Sequence, residues 1–222
     1  MATAIIPAYN EGPRVAAVVG VCRRASLVEQ VVVVDDGSSD DTAEQAAAAG
    51  AEVVRRPNGG IGAALVSGAL AAAGVVSVRL DADLYGLQPG DVDRLIAPVH
   101  AGTADMAIAE PDGVSAPLWW SGQRALPTRW LLQAPGLGDT GYGADMLLTR
   151  YAREMHARIV MVPWPGVRSA EKAAKWGPGT ALRLGLAARI AAVESWPVSQ
   201  AVGTQAVLAI AGALLPVWLP PE

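Results

Sequence analysis

Phenylalanine is absent from this 222-residue chain, histidine occurs twice and cysteine once. The missing Phe accompanies an apolar content that is largely alanine, and it reflects compositional bias rather than function. A single cysteine excludes an internal disulfide. Cys22 lies in the apolar run 15–22 and reads as a small core residue. Positive charge is also short: 17 Lys and Arg against 21 Asp and Glu give a net charge of −4, the wrong sign for a nucleic-acid binder. No basic segment and apolar signal core precede the first strand pattern, so export is not expected and a cytoplasmic location follows. Neither an internal repeat nor a linker interrupts the pattern, and we expect one domain over residues 1–222.

What is present is a globular composition, 52% apolar and 17% charged. A chain of this length buries roughly 70–75% of its unfolded surface and needs no covalent staples. The end of the chain is unusual. Residues 195–221 carry no charge and 201–215 are nearly all apolar. That run is shorter than the roughly 20 residues of a spanning helix, and Pro216 follows it. Two placements stay open: a buried terminal helix, or a hairpin or interfacial segment against the inner face of the cell membrane. The upstream cations Lys172, Lys175, Arg183 and Arg189 tilt the reading toward membrane contact.

Strand and helix patterns alternate from the start. Residues 3–6 read as a buried strand, 7–13 as a loop and 14–24 as a helix. The four-valine run in 30–34 has the β-branched signature of a strand covered on both faces. Asp35-Asp36-Gly37 makes a polar turn, and Ser38 to Asp40 offer caps for a helix to about Ala49. A strand at 52–55, a Gly-rich loop at 57–62, a helix at 63–73 and a strand at 75–80 follow. Such units imply a mostly parallel α/β sheet with helices on both faces. Ligands then sit beyond the carboxyl ends of the strands. Tyr9 to Glu11, Asp35 and Asp36, 58–62, and Asp81 to Asp83 all follow successive strands and reach that one edge. Further along, helices are expected at 89–100, 122–132 and 144–156, strands at 104–109 and 158–162, a loop at 111–119, and a basic, mostly helical end.

The spacing Asp81-Ala82-Asp83 lets two carboxylates point into one pocket. Oxygen ligands of this kind suit Mg²⁺ or Mn²⁺, which bind phosphates jointly with one or two carboxylates. Glu11 and Asp36 are acceptors fit for ribose hydroxyls and the N–H edge of a base. Each has a plainer reading, Glu11 as a first-turn helix acid and Asp36 as a turn acid, while Asp35 braces its loop. The glycines at 59, 60 and 62 allow backbone to approach a ligand closely.

Taken together, Pro7-Ala-Tyr-Asn-Glu11, Val34-Asp-Asp-Gly-Ser-Ser-Asp40, Asn58-x-Gly-x-Gly-x-Ala64 and Leu80-Asp-Ala-Asp83 resemble the family 2 glycosyltransferases. Within the family the chain looks similar to the polyprenyl-phosphate sugar synthases and the glucosyl-3-phosphoglycerate synthases. The resemblance implies a GT-A-type fold, a nucleotide diphosphate sugar donor and Mg²⁺ or Mn²⁺. It places Pro7, Ala8, Tyr9, Glu11 and Asp36 on the nucleoside. Gly60, Asp81, Ala82 and Asp83 go to the sugar and diphosphate, with Asp83 the direct metal ligand. Ser121-Gly-Gln-Arg-Ala125 is similar to the floor of the acceptor site. Gly141-Tyr-Gly-Ala-Asp145 makes Asp145 a candidate for positioning or deprotonating the acceptor hydroxyl, or else a helix N-terminal acid. Two departures stand out. Ile61 replaces a Lys that relatives often carry, and Arg168 and Ser169 occupy a place where relatives commonly have a metal-ligating His. Arg168, Lys172 or Lys175 would then neutralise phosphate directly, while His100 and His156 read as surface or helix residues.

The sequence thus implies hexose transfer from a nucleotide sugar, with a polyprenyl phosphate as the acceptor favoured by the greasy, basic end. A small soluble acceptor such as phosphoglycerate is the alternative, and a non-catalytic sugar-nucleotide-binding subunit a further one. A dinucleotide-binding oxidoreductase is excluded, because Pro-Ala-Tyr-Asn-Glu-Gly stands where that fold needs Gly-x-Gly-x-x-Gly.

Overall fold

In the computed structural model, which describes residues 1–111, 121–140 and 143–169, the chain opens with strand β1 (Ala2–Ala8). Its side chains alternate between two cores: Ala4, Ile6 and Ala8 face one, Ile5 the other. Strand β2 (Val28–Asp35) divides likewise, with Val31 and Val33 on the first side and Val32 and Val34 on the second. The two-residue repeat of a strand covered on both faces produces this split. Pro7 and Ala8, expected in a loop, close β1 instead. Their partners Val34 and Asp35 continue the parallel ladder with β2 to its end.

Helix α1 (Gly12–Cys22) joins β1 to β2, and α2 (Thr42–Ala48) joins β2 to β3 (Glu52–Arg55). Cys22 is fully buried, and burial pushes its thiol up to about 12, as befits an inert core residue. Helix α3 (Gly60–Ala71) begins three residues earlier than the sequence suggests and takes the end of the Gly-rich segment into its first turn. Strand β4 (Val76–Arg79) follows, then the short β5 (Leu84–Tyr85) and α4 (Pro89–His100). A capping box between Gln88 and Asp91 starts α4.

The second half adds β6 (Met106–Pro111), β7 (Arg124–Pro127), α5 (Thr128–Gln133), α6 (Ala144–Glu154), β8 (Ile159–Trp164) and β9 (Arg168–Ser169). The large sheet has the order β3-β2-β1-β4-β7-β6-β8. Only β7 runs against its neighbours. A mostly parallel sheet with helices on both faces is therefore present, as expected.

One element differs in kind. Residues 122–132, expected as a helix, split into β7 and α5. All four residues of β7 pair with β4, and Ala125 and Leu126 bury on opposite faces. Filling the gap between β4 and β6 outweighs a weak local helix preference, and Pro127 holds Leu126 extended. Helix α5 packs on α6 through an edge-to-face contact of Trp130 and Tyr151, 5.9 Å between ring centres. At the far edge Trp164 is fully buried and donates its indole N–H to Asp91 O at 3.1 Å. Past it, β9 returns to pair with β5 as a two-stranded ribbon. Among the described residues, no helix is long and apolar enough to cross a membrane. Residues 112–120, Gly141 and Tyr142, and the end from residue 170 lie outside the described residues; the loop expected at 111–119 falls there except for Pro111, which ends β6.

The buried Gly62 ties the two halves together. Its amide donates to Thr140 O at 3.0 Å, and an added Cβ would overlap Leu137 O and Thr140. Alanine gains about 1 kcal/mol in helix propensity, but overlap with backbone costs about 1–3 kcal/mol. Gly62→Ala should therefore lower the urea midpoint with an unchanged slope, for a net loss of up to about 2 kcal/mol. A more stable variant would remove this contact from the account.

Candidate active site

Strands β1 to β4 point the same way, so the residues after each of them leave the sheet at one edge. Because β7 is reversed, the segment 121–124 that leads into it arrives at that same edge. The rim's first wall is stitched between the ends of β1 and β2. Asn10, at φ 55°, donates its amide to Ser38 Oγ at 2.9 Å and accepts Ser39 N at 2.8 Å. Asn tolerates this left-handed backbone better than most residues. Glu11 N donates to Thr42 Oγ1 at 2.7 Å, and Gly12 N to Asp40 Oδ2 at 3.1 Å. Asp35 braces the turn by accepting Ser38 N at 2.9 Å.

Of the nucleoside candidates, Pro7 and Tyr9 are half-buried at this wall, and Ala8 is buried with its carbonyl accepting Asp36 N at 2.9 Å. The buried Glu11 accepts Arg14 Nη1 at 3.0 Å, and Arg14 Nε donates to Tyr85 Oη at 3.2 Å. Asp36 is engaged more fully than a ligand acceptor needs to be. It pairs with Arg56 and accepts the amides of Gly59, at 3.1 Å, and Gly60, at 2.7 Å. The carboxylate thus anchors the N-terminus of α3, where a negative charge is favoured. Ile61, one residue on, packs against the second core.

The acidic pair lies at the end of β4. Asp81 Oδ1 is 2.9 Å from Arg79 Nη2, and Oδ2 accepts Gln123 Nε2 at 2.6 Å. Ala82 turns into the first core, leaving its two neighbours at the rim. Asp83 is different. Burial, then the charge of Asp81, pushes its carboxyl up from 3.8 to about 6, against the pull of Arg14 and Arg79. A half-buried anion with too little positive charge around it fits a divalent cation. Among the described residues no group of three His, Cys, Asp or Glu side chains could hold a metal. Two carboxylates nonetheless suit Mg²⁺ or Mn²⁺ when phosphates and waters complete the shell. The ribbon brings Ser169 opposite Leu84 and the exposed Arg168 opposite Tyr85, one and two residues past Asp83 in the chain. His100 and His156 are exposed and lie outside this group.

Behind the rim sits a cluster that joins Arg124 and Asp145, both in quoted segments, to Arg79, which no motif announces. Arg79 and Arg124 face each other across β4 and β7, both buried. Asp145, in the first turn of α6, lies 3.6 Å from Arg79 Nη2 and 3.5 Å from Arg124 Nε. Arg124 also donates to Asp145 O at 2.6 Å, Thr149 Oγ1 at 3.1 Å and Ser121 O at 2.5 Å. Burial pushes Arg124 down to about 10 although Asp145 opposes it. For Arg79, the carboxylates of Asp145, Asp81 and Asp83 outweigh burial and raise its pKa. Arg14, Arg56 and Arg79 are the site residues that the motifs miss, while Gln123, within the Ser121–Ala125 segment, turns out to hold Asp81. The signal for Arg79 was there: a lone cation in the apolar strand pattern Val-Ser-Val-Arg-Leu.

Residues 3–150 match the family described as Glycosyl transferase family 2. The chain belongs to that family. A family 2 member with this rim is a glycosyltransferase with a nucleotide-sugar donor. Among solved structures it is similar to glucosyl-3-phosphoglycerate synthase of Mycobacterium tuberculosis in several complexes. With phosphoglyceric acid, the TM-score is 0.74 at 22% identity, covering 88% of this chain and 79% of that one. With Mn²⁺, uridine diphosphate and glucosyl-3-phosphoglycerate, it is 0.73 at 22%, over the same shares. With Mn²⁺, UDP-glucose and glycerol 3-phosphate, it is 0.73 at 23%, again over 88% and 79%. No curated protein matches the chain.

The raised Asp83 carboxyl gives the family 2 site a measurable signature. A carboxyl that holds its proton more tightly when folded loses native stability as pH climbs from about 4 to about 6. Because the group is half-buried and partly screened by solvent, the loss is about 1–2 kcal/mol. In metal-free protein, Asp83→Asn should be more stable than the parent by that amount at pH 8 and equal to it at pH 4. Denaturant titration at both pH values checks this, and a less stable variant at pH 8 would contradict it.

Proposed function

We propose that the chain transfers a hexose from a uridine diphosphate sugar to a small phosphorylated acceptor, in the manner of a glucosyl-3-phosphoglycerate synthase. The observation that carries this reading is Asp83, a half-buried carboxylate short of positive charge at the ligand edge of the sheet. In this reading Asp83 and Asp81 would hold Mg²⁺ or Mn²⁺, which when bound supplies charge neutralisation for the departing diphosphate. The wall of Pro7, Ala8, Tyr9 and Glu11 takes the nucleoside. Asp36 keeps Gly60 and the start of α3 in place beside it. Residues 1–100 form the donor half and 101–170 the acceptor half of one domain.

Arg168 offers an exposed cation opposite Tyr85, two residues past Asp83 in the chain, suited to an anionic acceptor or the diphosphate. This favours a small phosphorylated acceptor. So does the fold likeness to a synthase crystallised with phosphoglyceric acid. The polyprenyl phosphate reading rested on the chain's end, which lies outside the described residues. Asp145 stands in the first turn of α6, as a helix N-terminal acid would, and its ion pairs with Arg79 and Arg124 favour positioning over proton abstraction.

Mn²⁺ with UDP should raise the melting temperature of the protein, since a tight ligand stabilises by mass action. UDP-glucose, Mn²⁺ and 3-phosphoglycerate together should yield a glucosylated product. Asp83→Ala should lower kcat by about a hundredfold or more while the protein stays folded. Turnover with polyprenyl phosphate and none with phosphorylated small acceptors would reverse the acceptor assignment. Undiminished activity in Asp83→Ala would end the metal-site reading.

A further inference from the structure

Burying two guanidinium groups face to face is expensive, and packing alone gives no reason for it. Arg79 and Arg124 are directly opposite in the antiparallel β4–β7 ladder, with relative exposures of 2% and 0%. Like charges so placed repel, and apolar residues of similar volume generally serve stability as well or better. Room is nevertheless reserved for Arg79. A Cβ on Gly122 would overlap its Nη1, so backbone lies directly against the guanidinium. Its Nε and Nη1 have no hydrogen-bond partner among the described residues.

One nitrogen of Arg79 explains the arrangement. Nη2 lies 2.9 Å from Asp81 Oδ1 and 3.6 Å from Asp145 Oδ2. Asp81 belongs to the donor end of β4, while Asp145 starts α6, whose opening follows the acceptor-side segment. Gln123 closes the same circuit from the reversed strand, giving its side-chain amide to Asp81 Oδ2 and taking Asp81 N.

We infer that Arg79 is a positioning residue that couples the two substrate sides of the transferase, holding Asp81 against the donor metal and α6 against the acceptor through one shared guanidinium. The inference rests on the proposed donor and metal site. Its physical content is that the orientation of Asp81, and with it the Asp81–Asp83 turn, depends on a charge that Asp145 also draws on. Loosening Asp145 lets Nη2 follow Asp81, or leaves the guanidinium undercompensated. Either way the effect reaches the donor side without any contact between Asp145 and the donor. A lysine, as a compact point charge on a flexible stem, does not hold the two carboxylates in the fixed arrangement that the packed, planar guanidinium imposes.

The test is calorimetric affinity for Mn²⁺ with UDP, well below the melting transition, in the parent, Asp145→Asn, Arg79→Lys and the double variant. Coupling predicts that Asp145→Asn weakens Mn²⁺–UDP by about threefold to tenfold, Arg79→Lys at least as much, and the double variant no more than Arg79→Lys alone. Additive losses, or an Asp145→Asn protein that binds Mn²⁺–UDP like the parent, overturn the inference. If Arg79→Lys fails to fold, Asp145→Asn decides by itself, since coupling requires a donor-side loss from it. A parent protein that binds neither Mn²⁺–UDP nor Mn²⁺–GDP removes the functional reading and the coupling with it. Normal parental binding with additive variants removes the coupling alone.

Discussion

The common direction of β1, β2, β3 and β4 is the constraint on which everything else rests. Parallel strands force each connection to cross a face of the sheet and return, so every carboxyl-end loop empties at the same edge. Residues as far apart as Asn10, Ser38, Gly60 and Asp81 thereby become neighbours without any long-range motif. The one reversed strand, β7, obeys the same geometry from the other side. Its amino end meets the carboxyl end of β4, so Gln123 and Arg124 enter the rim from below. The chemistry of the site is thus a by-product of strand polarity, fixed before any side chain is chosen.

Once the rim exists, its charges must be balanced, and this chain balances them unevenly. Asp36 and Asp81 are both neutralised by protein groups: Arg56 and two amides for the first, Arg79 and Gln123 for the second. Asp83 is left with distant help only. Strained electrostatics of this sort is typical of functional sites, where stability is given up for a ligand that restores it. The buried arginine pair is a second concession of the same kind, bridged by Asp145 on α6, with Asp81 sharing Arg79.

Much of this was legible in the residues. The valine run of β2, the strand at Glu52–Arg55 and the helix at Pro89–His100 follow from period and capping, and the acidic pairs fall at strand ends as the alternation requires. The reversed strand was not legible, because four residues ending in Pro127 carry too little periodicity to oppose a helical reading. Its identity comes from the vacancy between β4 and β6 that it fills. The engagement of Asp36 was hidden for another reason. Arg56 and the Gly59 and Gly60 amides are twenty or more residues away, and nothing in a turn motif says which partner a carboxylate will choose. Arg79 was visible as an anomaly, a charge in a buried strand, but its meaning needed Asp145 beside it.

The β5–β9 ribbon has a consequence for an otherwise open edge. Strand β8 stands at the outer margin of the sheet, yet the chain leaving it returns to pair with Leu84 and Tyr85, the residues that follow the acids. Without that return, the backbone of Leu84 and Tyr85 would be a free edge. With it, among the described residues, Arg168 and Ser169 cover that edge, and the segment that follows the acidic pair is held from both sides.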